Sequence, residues 1–494
     1  MAEMDSILGF LENKKVLVTG ATGFLAKIFI EKILRTQPNV GKLYCLMRAA
    51  DDKGANQRLQ SEILGKDLFR VVKDKYGKTW DALISEKIVP VAGDISCDDM
   101  GVSNPGLLED MAKEVDVIVN LAATTNFDER YDVALGINTV GARNVMKFAK
   151  KCDKLAVYVQ VSTAYVWGES EGVCPEHPFK MGETLNGAPA GLDIDAEIKL
   201  AERTVKELQA NSSLSDKAIT RALKDLGIQR ARTYGWPNPY VFTKAMAEMI
   251  VDDMKGDLPV VILRPTIITS TYKEPFAGWA EGVRTIDSLA VGYGKGRIAC
   301  FLGDPLAITD VIPADMVVNS IIVAMATNAS NKPTQVIYQV GSSVSHPINM
   351  AALQDMGYRY FTTKPWIDKN GEPIRVGKVR VLSTMDSFHR YLTVRYLIPL
   401  KGLELVNKAF CQYFKRIHSE LDRKIKFVMR LIELYKPYLF FKAVFDDLNT
   451  EKLRISAKDS YTDADMFYFD PKIIDWEDYF MNKHIPGIVK YVFK

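Results

Sequence analysis

The fold of this chain is decided by residues 14–34, KKVLVTGATGFLAKIFIEKIL. An apolar strand leads into a turn that contains Gly20 and Gly23, and an amphipathic helix follows, with Ala26 where a third glycine often sits. Glycines in such a turn let the backbone approach a pyrophosphate, which then rests on the free N–H groups of the helix N-terminus. Because a strand precedes the turn and a helix follows it, the stretch predicts a dinucleotide site rather than an ordinary strand–helix connection.

Further apolar strands alternate with helical stretches at the spacing of an α/β protein. They read KLYCLMR (42–48), KIVPVAGDI (87–95), VDVIVNLAATTNF (115–127), LAVYVQVSTAYVWG (155–168) and PVVILRPT (259–266). This alternation predicts a doubly wound, Rossmann-type parallel sheet with its ligands at the carboxyl ends of the strands. The nucleotide is expected to contact the glycine turn and these strand ends, at Thr19, Gly20, Thr22, Gly23, Phe24, Leu25, Ala26, Arg48, Asp94, Ile95, Ala122, Ala123, Pro265, Thr266 and Ile267.

The end of the second strand indicates which nicotinamide cofactor binds. An acidic residue at this position bonds the ribose hydroxyls of NAD, whereas an arginine can hold the 2′-phosphate of NADP. Arg48 occupies the position, but Asp51 and Asp52 follow closely, so a simply solvated arginine is the alternative. The sequence favours NADPH.

The stretch PYVFTK (239–244) places Tyr240 and Lys244 one turn apart on a predicted helix, so both side chains lie on one face. The spacing alone does not separate a packed tyrosine beside a solvated lysine from an acid beside the cation that tunes it. An unperturbed tyrosine titrates near ~10, and a neighbouring cation favours the phenolate and brings its pKa closer to neutrality. Together with the nucleotide turn, the pair is predicted to be catalytic.

Hydroxyl groups end the strand before this helix, at Ser162 and Thr163. The order of turn, hydroxyls and Tyr/Lys helix resembles the extended short-chain dehydrogenase/reductase superfamily. That resemblance implies Tyr240 as general acid, Lys244 as the residue that lowers its pKa and binds the nicotinamide ribose, and a hydroxyl that holds the substrate oxygen. Counting back from Gly168 favours Thr163 for the hydroxyl, and Ser162 stays open.

Composition excludes several other classes of protein. The chain has 494 residues and a net charge of +3, which predicts two domains and no nucleic-acid partner. Six cysteines without CxxC pairs argue for a reducing compartment, and five histidines without ligand spacing argue against a metal site. The N-terminus resembles neither a signal nor a transit peptide, and no apolar run reaches the ~18 residues of a spanning helix.

We expect a reductase domain at 1–345, with a helical insertion at about 172–235, and a mainly helical C-terminal domain at 346–494. Long insertions beside an active site tend to be functional. In the C-terminal part, apolar residues from Leu421 to Tyr435 recur at helical spacing. Such a helix either packs on its own domain or lies on a membrane surface.

Several longer motifs together resemble the plant alcohol-forming fatty acyl-CoA reductases, with their C-terminal male-sterility domain, from about Phe10 to Lys494. They are LENKKVLVTGATGFLAKIFIEKILRTQPNV (11–40), VNLAATTNFDERYDVALGINTVGA (119–142), VQVSTAYVWGE (159–169), GWPNPYVFTKAMAEM (235–249), LRPTIITSTYKEPFAGWAEG (263–282), DVIPADMVVNS (310–320), PYLFFKAVFDDLNTEKLR (437–454) and FYFDPKIIDWEDYF (467–480). Matching the family's motifs gives Gly20, Gly23 and Ala26 for the nucleotide, and Tyr240 with Lys244 for catalysis.

The resemblance implies reduction of a long-chain acyl-CoA to a primary alcohol with two NADPH, through an aldehyde that stays bound. Such alcohols supply waxes, suberin and other lipids. It also implies a place on the cytosolic face of the endoplasmic reticulum. Because no spanning helix is expected, we predict peripheral membrane contact through residues 391–445, including Tyr438, Phe440, Phe441 and Phe445 around a break at Pro437.

Two other functions fit parts of the pattern. A sugar-nucleotide epimerase or reductase shares the fold, the turn and the Tyr/Lys pair, but the distinct C-terminal domain argues against it. A non-catalytic NADP-binding protein is the second alternative, and the intact set of Thr163, Tyr240 and Lys244 argues against that.

Overall fold

The computed structural model describes residues 5–189, 191–283, 285–298, 300–329, 334–409 and 412–493. Its centre is a seven-stranded parallel sheet. In chain order the strands are β1 Lys15–Thr19, β2 Lys42–Met47, β3 Ile88–Ala92, β4 Val117–Asn120, β5 Val157–Val161, β6 Val260–Pro265 and β7 Gln335–Val340. Across the sheet they lie in the order β3-β2-β1-β4-β5-β6-β7. The order reverses between β1 and β4, which opens the crevice where Rossmann-type sheets bind their ligands and confirms the predicted fold class.

A ladder of buried polar side chains aligns the strands that border this crevice. The register pairs Thr19 with Asn120 and Asn120 with Gln160. The Thr19 hydroxyl donates to Asn120 Oδ1 at 2.5 Å, and Asn120 Nδ2 donates to Gln160 Oε1 at 2.9 Å. A one-residue slip would break both bonds and leave buried polar groups unpaired, so the ladder fixes the level at which β1, β4 and β5 end.

Both faces of the sheet are covered, because alternate residues of β1 enter two different apolar cores. Val16 and Val18 pack with α1 (Phe24–Thr36), while Leu17 packs with the helix Gly141–Ala149. The other helices of residues 5–329 are Ile7–Leu11, Asp52–Arg58, Leu59–Leu64, Arg70–Tyr76, Trp80–Lys87, Pro105–Glu114, Tyr131–Ala134, Leu135–Val140, Ile194–Ala210, Asp216–Thr233, α2 (Pro239–Met254), Thr285–Gly294 and Ala314–Asn328, with short 3-10 turns between some of them.

The stretch between the hydroxyl-bearing strand and α2 contains a short strand, Glu171–Cys174, and the helices Ile194–Ala210 and Asp216–Thr233. The buried Glu197 joins these two helices to the rest of the chain. It accepts a hydrogen bond from the Tyr131 hydroxyl at 2.6 Å and pairs with Arg230 at 2.6 Å. The two helices are therefore fixed against the segment that follows β4.

The part of the chain after residue 346 is mainly helical, as predicted. Its helices are Met350–Thr363, Met385–Leu392, Thr393–Leu397, Ile398–Ala409, α3 (Lys415–Leu439), Leu448–Ser460, Trp476–Asp478, Tyr479–His484 and Ile485–Tyr491. This segment packs against the domain that contains the central sheet. Its strand Lys442–Phe445 pairs in parallel with Glu171–Cys174, and Tyr479 and Phe480 share an apolar core with β1 and α1.

The expectation that Phe441 and Phe445 face a membrane is wrong. Phe441 is 7% exposed and Phe445 is 2% exposed, because the strand that follows α3 packs their rings against Tyr165. Tyr438 and Phe440 are half-buried. Pro437 makes no break, since α3 continues through it to Leu439.

No helix in the described ranges is long and apolar enough to cross a bilayer. The described cysteines are all free thiols, and Cys411 lies outside the described residues.

Candidate active site

The glycine turn between β1 and α1 is shaped for close approach to a ligand. Gly20 has φ +62°, and a Cβ atom there would lie 2.7 Å from the Ala122 Cα. Gly23 is the N-cap of α1 and offers no side chain to the N–H groups of the first helical turn. Those N–H groups and the positive end of the helix dipole suit a phosphate group. The turn therefore fits the pyrophosphate of a dinucleotide.

The other residues predicted to contact the nucleotide lie at the same edge of the sheet, and two of them have local partners. The Thr19 hydroxyl also accepts the Ala122 N–H at 3.2 Å, which ties the turn to the end of β4. The Asp94 carboxylate accepts the N–H and the hydroxyl of Ser96 at 2.9 and 2.7 Å. Ile95 is buried against Gly141. Exposed or half-buried residues at this edge are Thr22, Phe24, Leu25, Ala122, Ala123 and Ile267, whereas Ala26, Pro265 and Thr266 are buried.

Arg48 is exposed at the end of β2, as its predicted contact with the cofactor requires. The neighbouring Asp51 caps the next helix by accepting the Gly54 N–H at 2.7 Å, so its carboxylate is engaged there. No ion pair of Arg48 is present in the part of the chain that the structure describes. A second guanidinium, which the sequence did not single out, lies beside it, since Arg58 donates to the Arg48 carbonyl at 2.6 Å while pairing with Glu62.

The helix α2 carries Tyr240 and Lys244 and is held against the sheet. Lys244 is 2% exposed, and its Nζ donates to the Val161 carbonyl at the end of β5, at 2.6 Å. Burial lowers the pKa of Lys244 to about 8, and the nearby Glu248 carboxylate partly opposes this shift. Glu248 is itself paired with the buried Arg264 of β6 at 2.6 Å. The lysine therefore lies in a setting where its charge changes near neutral pH.

Two hydroxyls follow β5, beside α2. Thr163 Oγ1 accepts the Tyr165 N–H at 3.3 Å and lies 3.4 Å from the Pro265 carbonyl, to which it donates. Ser162 is also buried, and its Oγ has no hydrogen-bond partner among the described residues. A buried hydroxyl without a partner carries a desolvation cost that a substrate oxygen could remove. Both residues stay candidates for holding that oxygen.

Tyr240 packs against an aromatic cluster, and sequence reasoning missed the role of that cluster. Its members are Phe127, Tyr165, Tyr435, Tyr438, Phe441 and Phe445. Phe127 stacks on Tyr240 with ring centroids 5.7 Å apart and on Tyr438 at 4.9 Å. Four of the six members come from α3 and from residues 441–445 after it, so the C-terminal segment builds the wall next to the predicted acid. The aromatic pattern of residues 435–445 was visible in the sequence, but the sequence did not show that these rings pack against Phe127 and Tyr165.

Burial raises the pKa of the Tyr165 and Tyr438 hydroxyls well above their ordinary value. Both side chains are therefore protonated at neutral pH. A cavity of about 390 Å³ opens on the outer side of the cluster. It is lined by Glu169, Ser170, Glu171, Ser383, Thr384, Met385, Lys436, Pro437, Phe440, Phe441 and Lys442.

Among the described residues, no three or more His, Cys, Asp or Glu side chains are grouped so that they could hold a metal ion.

The fold and the glycine turn define a Rossmann-type protein with a site that suits a dinucleotide. Among solved structures, the chain resembles the reductase domain of a non-ribosomal peptide synthetase from Mycobacterium tuberculosis. The TM-score is 0.53 at 19% identity, with 97% of this chain and 92% of that chain covered. The terminal reductase domain of the myxalamid biosynthetic pathway gives a TM-score of 0.51 at 18% identity, with 90% and 85% covered. These similarities support the fold.

Sequence comparison identifies the family. Two family models, both described as male sterility protein, match residues 18–321 and 395–494. The chain is 56% identical to an alcohol-forming fatty acyl-CoA reductase of Simmondsia chinensis, with 100% of both chains covered. It is 52% identical to fatty acyl-CoA reductase 1 of Arabidopsis thaliana, with 98% of both covered. The chain belongs to the male sterility family of fatty acyl-CoA reductases.

Proposed function

We propose that this protein reduces a long-chain acyl-CoA to a primary alcohol with two NADPH, through an aldehyde that stays bound. The relative named as an alcohol-forming fatty acyl-CoA reductase, which matches over the whole chain, supports this reaction. The glycine turn supports a dinucleotide, and the exposed Arg48 at the end of β2 supports the phosphorylated form of the cofactor. A bound NADPH supplies one hydride to each of the two carbonyl reductions.

The residues of this chain supply the proton and the oxygen-binding groups. Tyr240 donates a proton to the oxygen that becomes the alcohol, and protonated Lys244 stabilises the phenolate left behind. The hydroxyl of Thr163, with Ser162 beside it, binds the carbonyl oxygen as negative charge develops. Loss of the CoA thiolate from the first tetrahedral adduct leaves the aldehyde. The aromatic cluster excludes water from it until the second reduction.

The observation that carries this proposal is the aromatic wall that the C-terminal segment places beside Tyr240. Apolar rings from α3 and from Lys442–Phe445 suit the carbon chain of a fatty acyl group. A sugar nucleotide needs several hydrogen-bonding groups at the corresponding place. The wall therefore favours an acyl substrate over the sugar-nucleotide reaction that the same fold supports.

The direct test measures NADPH oxidation by the purified full-length protein with acyl-CoA substrates of sixteen to twenty carbons. Chromatography of the products should find primary alcohol, with roughly two NADPH consumed for each one formed. UDP-sugars serve as the control substrates. Turnover of a UDP-sugar without acyl-CoA turnover would replace the proposed reaction, and binding of NADPH without turnover of either substrate would indicate a non-catalytic protein.

The pH dependence of the reaction should report Lys244. The lysine is charged below its pKa of about 8 and neutral above it. Because the charged form supports the Tyr240 phenolate, kcat/KM should fall as the pH rises through about 8. In Lys244→Arg the cation persists, so the alkaline limb should move upward by more than one pH unit even where the rate is lower. If the alkaline limb of the pH profile stays at the same pH in Lys244→Arg, that limb reports a group other than Lys244.

We further propose that the protein binds the cytosolic face of the endoplasmic reticulum through an outer apolar surface at residues 394–428. Exposed apolar side chains are concentrated there, namely Val394, Tyr396, Ile398, Leu405, Val406, Tyr413, Ile417, Leu421, Phe427 and Val428. The sequence 394–428 contains eight lysines and arginines against three acids, so this surface is also basic. Apolar side chains interleaved with basic ones suit a bilayer that contains anionic lipids.

Flotation with liposomes tests this surface in the full-length protein. The triple change Leu405→Ser, Tyr413→Ser, Phe427→Ser should abolish co-flotation with vesicles that contain phosphatidylserine, and raised salt should weaken the parent's binding. The matched control is Leu448→Ser, Ile455→Ser, Ile473→Ser, which removes similarly exposed apolar side chains from the segment after α3. Equal flotation of the two triple variants would show that residues 394–428 do not make the contact.

A further inference from the structure

One side chain of the C-terminal segment, Tyr438 near the end of α3, contacts both halves of the candidate active site. Its hydroxyl oxygen accepts a hydrogen bond from Asn238 Nδ2 at 2.8 Å, at the start of the helix that carries Tyr240. Its ring meets Tyr165 edge to face, with centroids 5.2 Å apart, two residues after Thr163.

Asn238 connects this hydrogen bond directly to the position of α2. It is fully buried, and its side-chain oxygen accepts the Val241 N–H at 3.2 Å, which makes it the N-cap of the helix. Its carbonyl accepts the Phe242 N–H at 3.3 Å. The Asn238 side chain thus caps α2 through its amide oxygen and binds Tyr438 through its amide nitrogen. Tyr240 lies in the first turn of that helix, where the cap fixes the backbone.

The contact on the other side of Tyr438 leads to the substrate-binding hydroxyl. The Tyr165 N–H donates to Thr163 Oγ1 at 3.3 Å, so the place of Tyr165 influences the direction of that hydroxyl. Phe127 completes the arrangement, because it stacks on both Tyr438 and Tyr240. The ring of Tyr438 is therefore packed between the elements that carry the acid and the oxygen-binding group.

Ion pairs hold α3 in the place that these contacts need. Arg430, two turns before Tyr438, binds Asp128 at 2.7 Å and Asp225 at 2.7 Å. Asp128 is the neighbour of Phe127 and also pairs with Lys224 at 3.4 Å. A shift of α3 would break these pairs and would leave the buried Asn238 amide without its partner, and both changes are unfavourable.

We propose that Tyr438 is a positioning residue, through which the C-terminal helix aligns Tyr240 with Thr163 for proton transfer. The Asn238–Tyr438 hydrogen bond fixes the position of the first turn of α2, and the Tyr438 ring fixes the position of Tyr165 after β5. The inference rests on the proposed role of Tyr240 as the acid. It gives the C-terminal segment a part in the chemistry itself, in addition to its part in forming the wall of the acyl site.

Tyr438→Phe tests the hydrogen bond, because it removes the hydroxyl and keeps the ring. We expect kcat to fall about tenfold or more, as for other small misplacements of a reacting group, while the KM for NADPH and the thermal unfolding midpoint stay close to those of the parent. Asn238→Ser keeps a capping oxygen and removes the amide donor, so it should reproduce the loss. The double variant should be no slower than either single one. Tyr44→Phe, which removes a hydroxyl that donates to Glu114 at 2.8 Å and has no part in the candidate site, is the matched control and should leave kcat unchanged.

The decisive measurement repeats Tyr438→Phe in a Tyr240→Phe background. If Tyr438 acts through Tyr240, the second change costs no further activity there. An additional loss of similar size, or a Tyr438→Phe protein with the parent's kcat, would overturn the positioning role. Full turnover in Tyr240→Phe alone is a different outcome, since it would remove the proposed acid and leave the Asn238–Tyr438 bond as a structural contact.

Discussion

A folded Tyr240→Phe protein should reduce acyl-CoA 10²–10⁴-fold more slowly than the parent, the range expected for loss of a general acid. Phenylalanine keeps the ring that stacks on Phe127, so the aromatic cluster should persist. NADPH should still bind, because the glycine turn and Arg48 are untouched. The fall should therefore appear in kcat, with little change in the KM for NADPH.

Stopped-flow or steady-state assays of NADPH oxidation, with a titration of cofactor binding, measure both quantities. The matched control is Tyr234→Phe, which removes a hydroxyl that contacts Arg230 and Glu197 instead of the predicted site. Turnover at the parent rate in Tyr240→Phe would remove this residue from the mechanism. Equal losses in the two variants would indicate a general effect on the fold.

Arg48→Ala should raise the KM for NADPH by about 10- to 100-fold and leave the KM for NADH nearly unchanged. The reason is that a charge-assisted bond to the 2′-phosphate contributes about 1.5–3 kcal/mol and NADH lacks that phosphate. Arg48 is exposed at the end of β2, and Asp51 is occupied as a helix cap, so the guanidinium is available for such a bond.

Arg48→Lys provides the graded control, since it keeps the positive charge and loses the two-pronged geometry of the guanidinium. Its KM for NADPH should lie between those of the parent and the alanine variant. The comparison requires kinetics with both cofactors on each protein. A rise of the same size for NADPH and NADH would assign Arg48 a role unrelated to the phosphate and would leave Arg58 as the nearest other guanidinium.

Patterns within short stretches determined much of this protein. The parallel sheet was predicted from the apolar strands, the glycine turn and the helix after it. These signals are local, because a hydrophobic period of two or 3.6 residues and the φ freedom of Gly20 depend only on neighbouring residues. The one-turn spacing of Tyr240 and Lys244 likewise placed both on the single helix α2. Local sequence therefore defined the sheet, the nucleotide turn and the candidate catalytic pair.

Only the tertiary structure decided what surrounds Tyr240. The aromatic residues from Tyr438 to Phe445 are compatible with a membrane contact and equally with a protein core. An apolar pattern predicts that a face is covered, but it does not identify whether protein or lipid covers it. The strand Lys442–Phe445 pairs with Glu171–Cys174, far away in sequence, and the rings of Phe441 and Phe445 therefore pack against Tyr165 beside the candidate active site. Residues 394–409 and 412–428 have the same kind of composition, but many of their apolar side chains are exposed, since no element of the described chain covers them. The difference lies in long-range pairing, which no local pattern specifies.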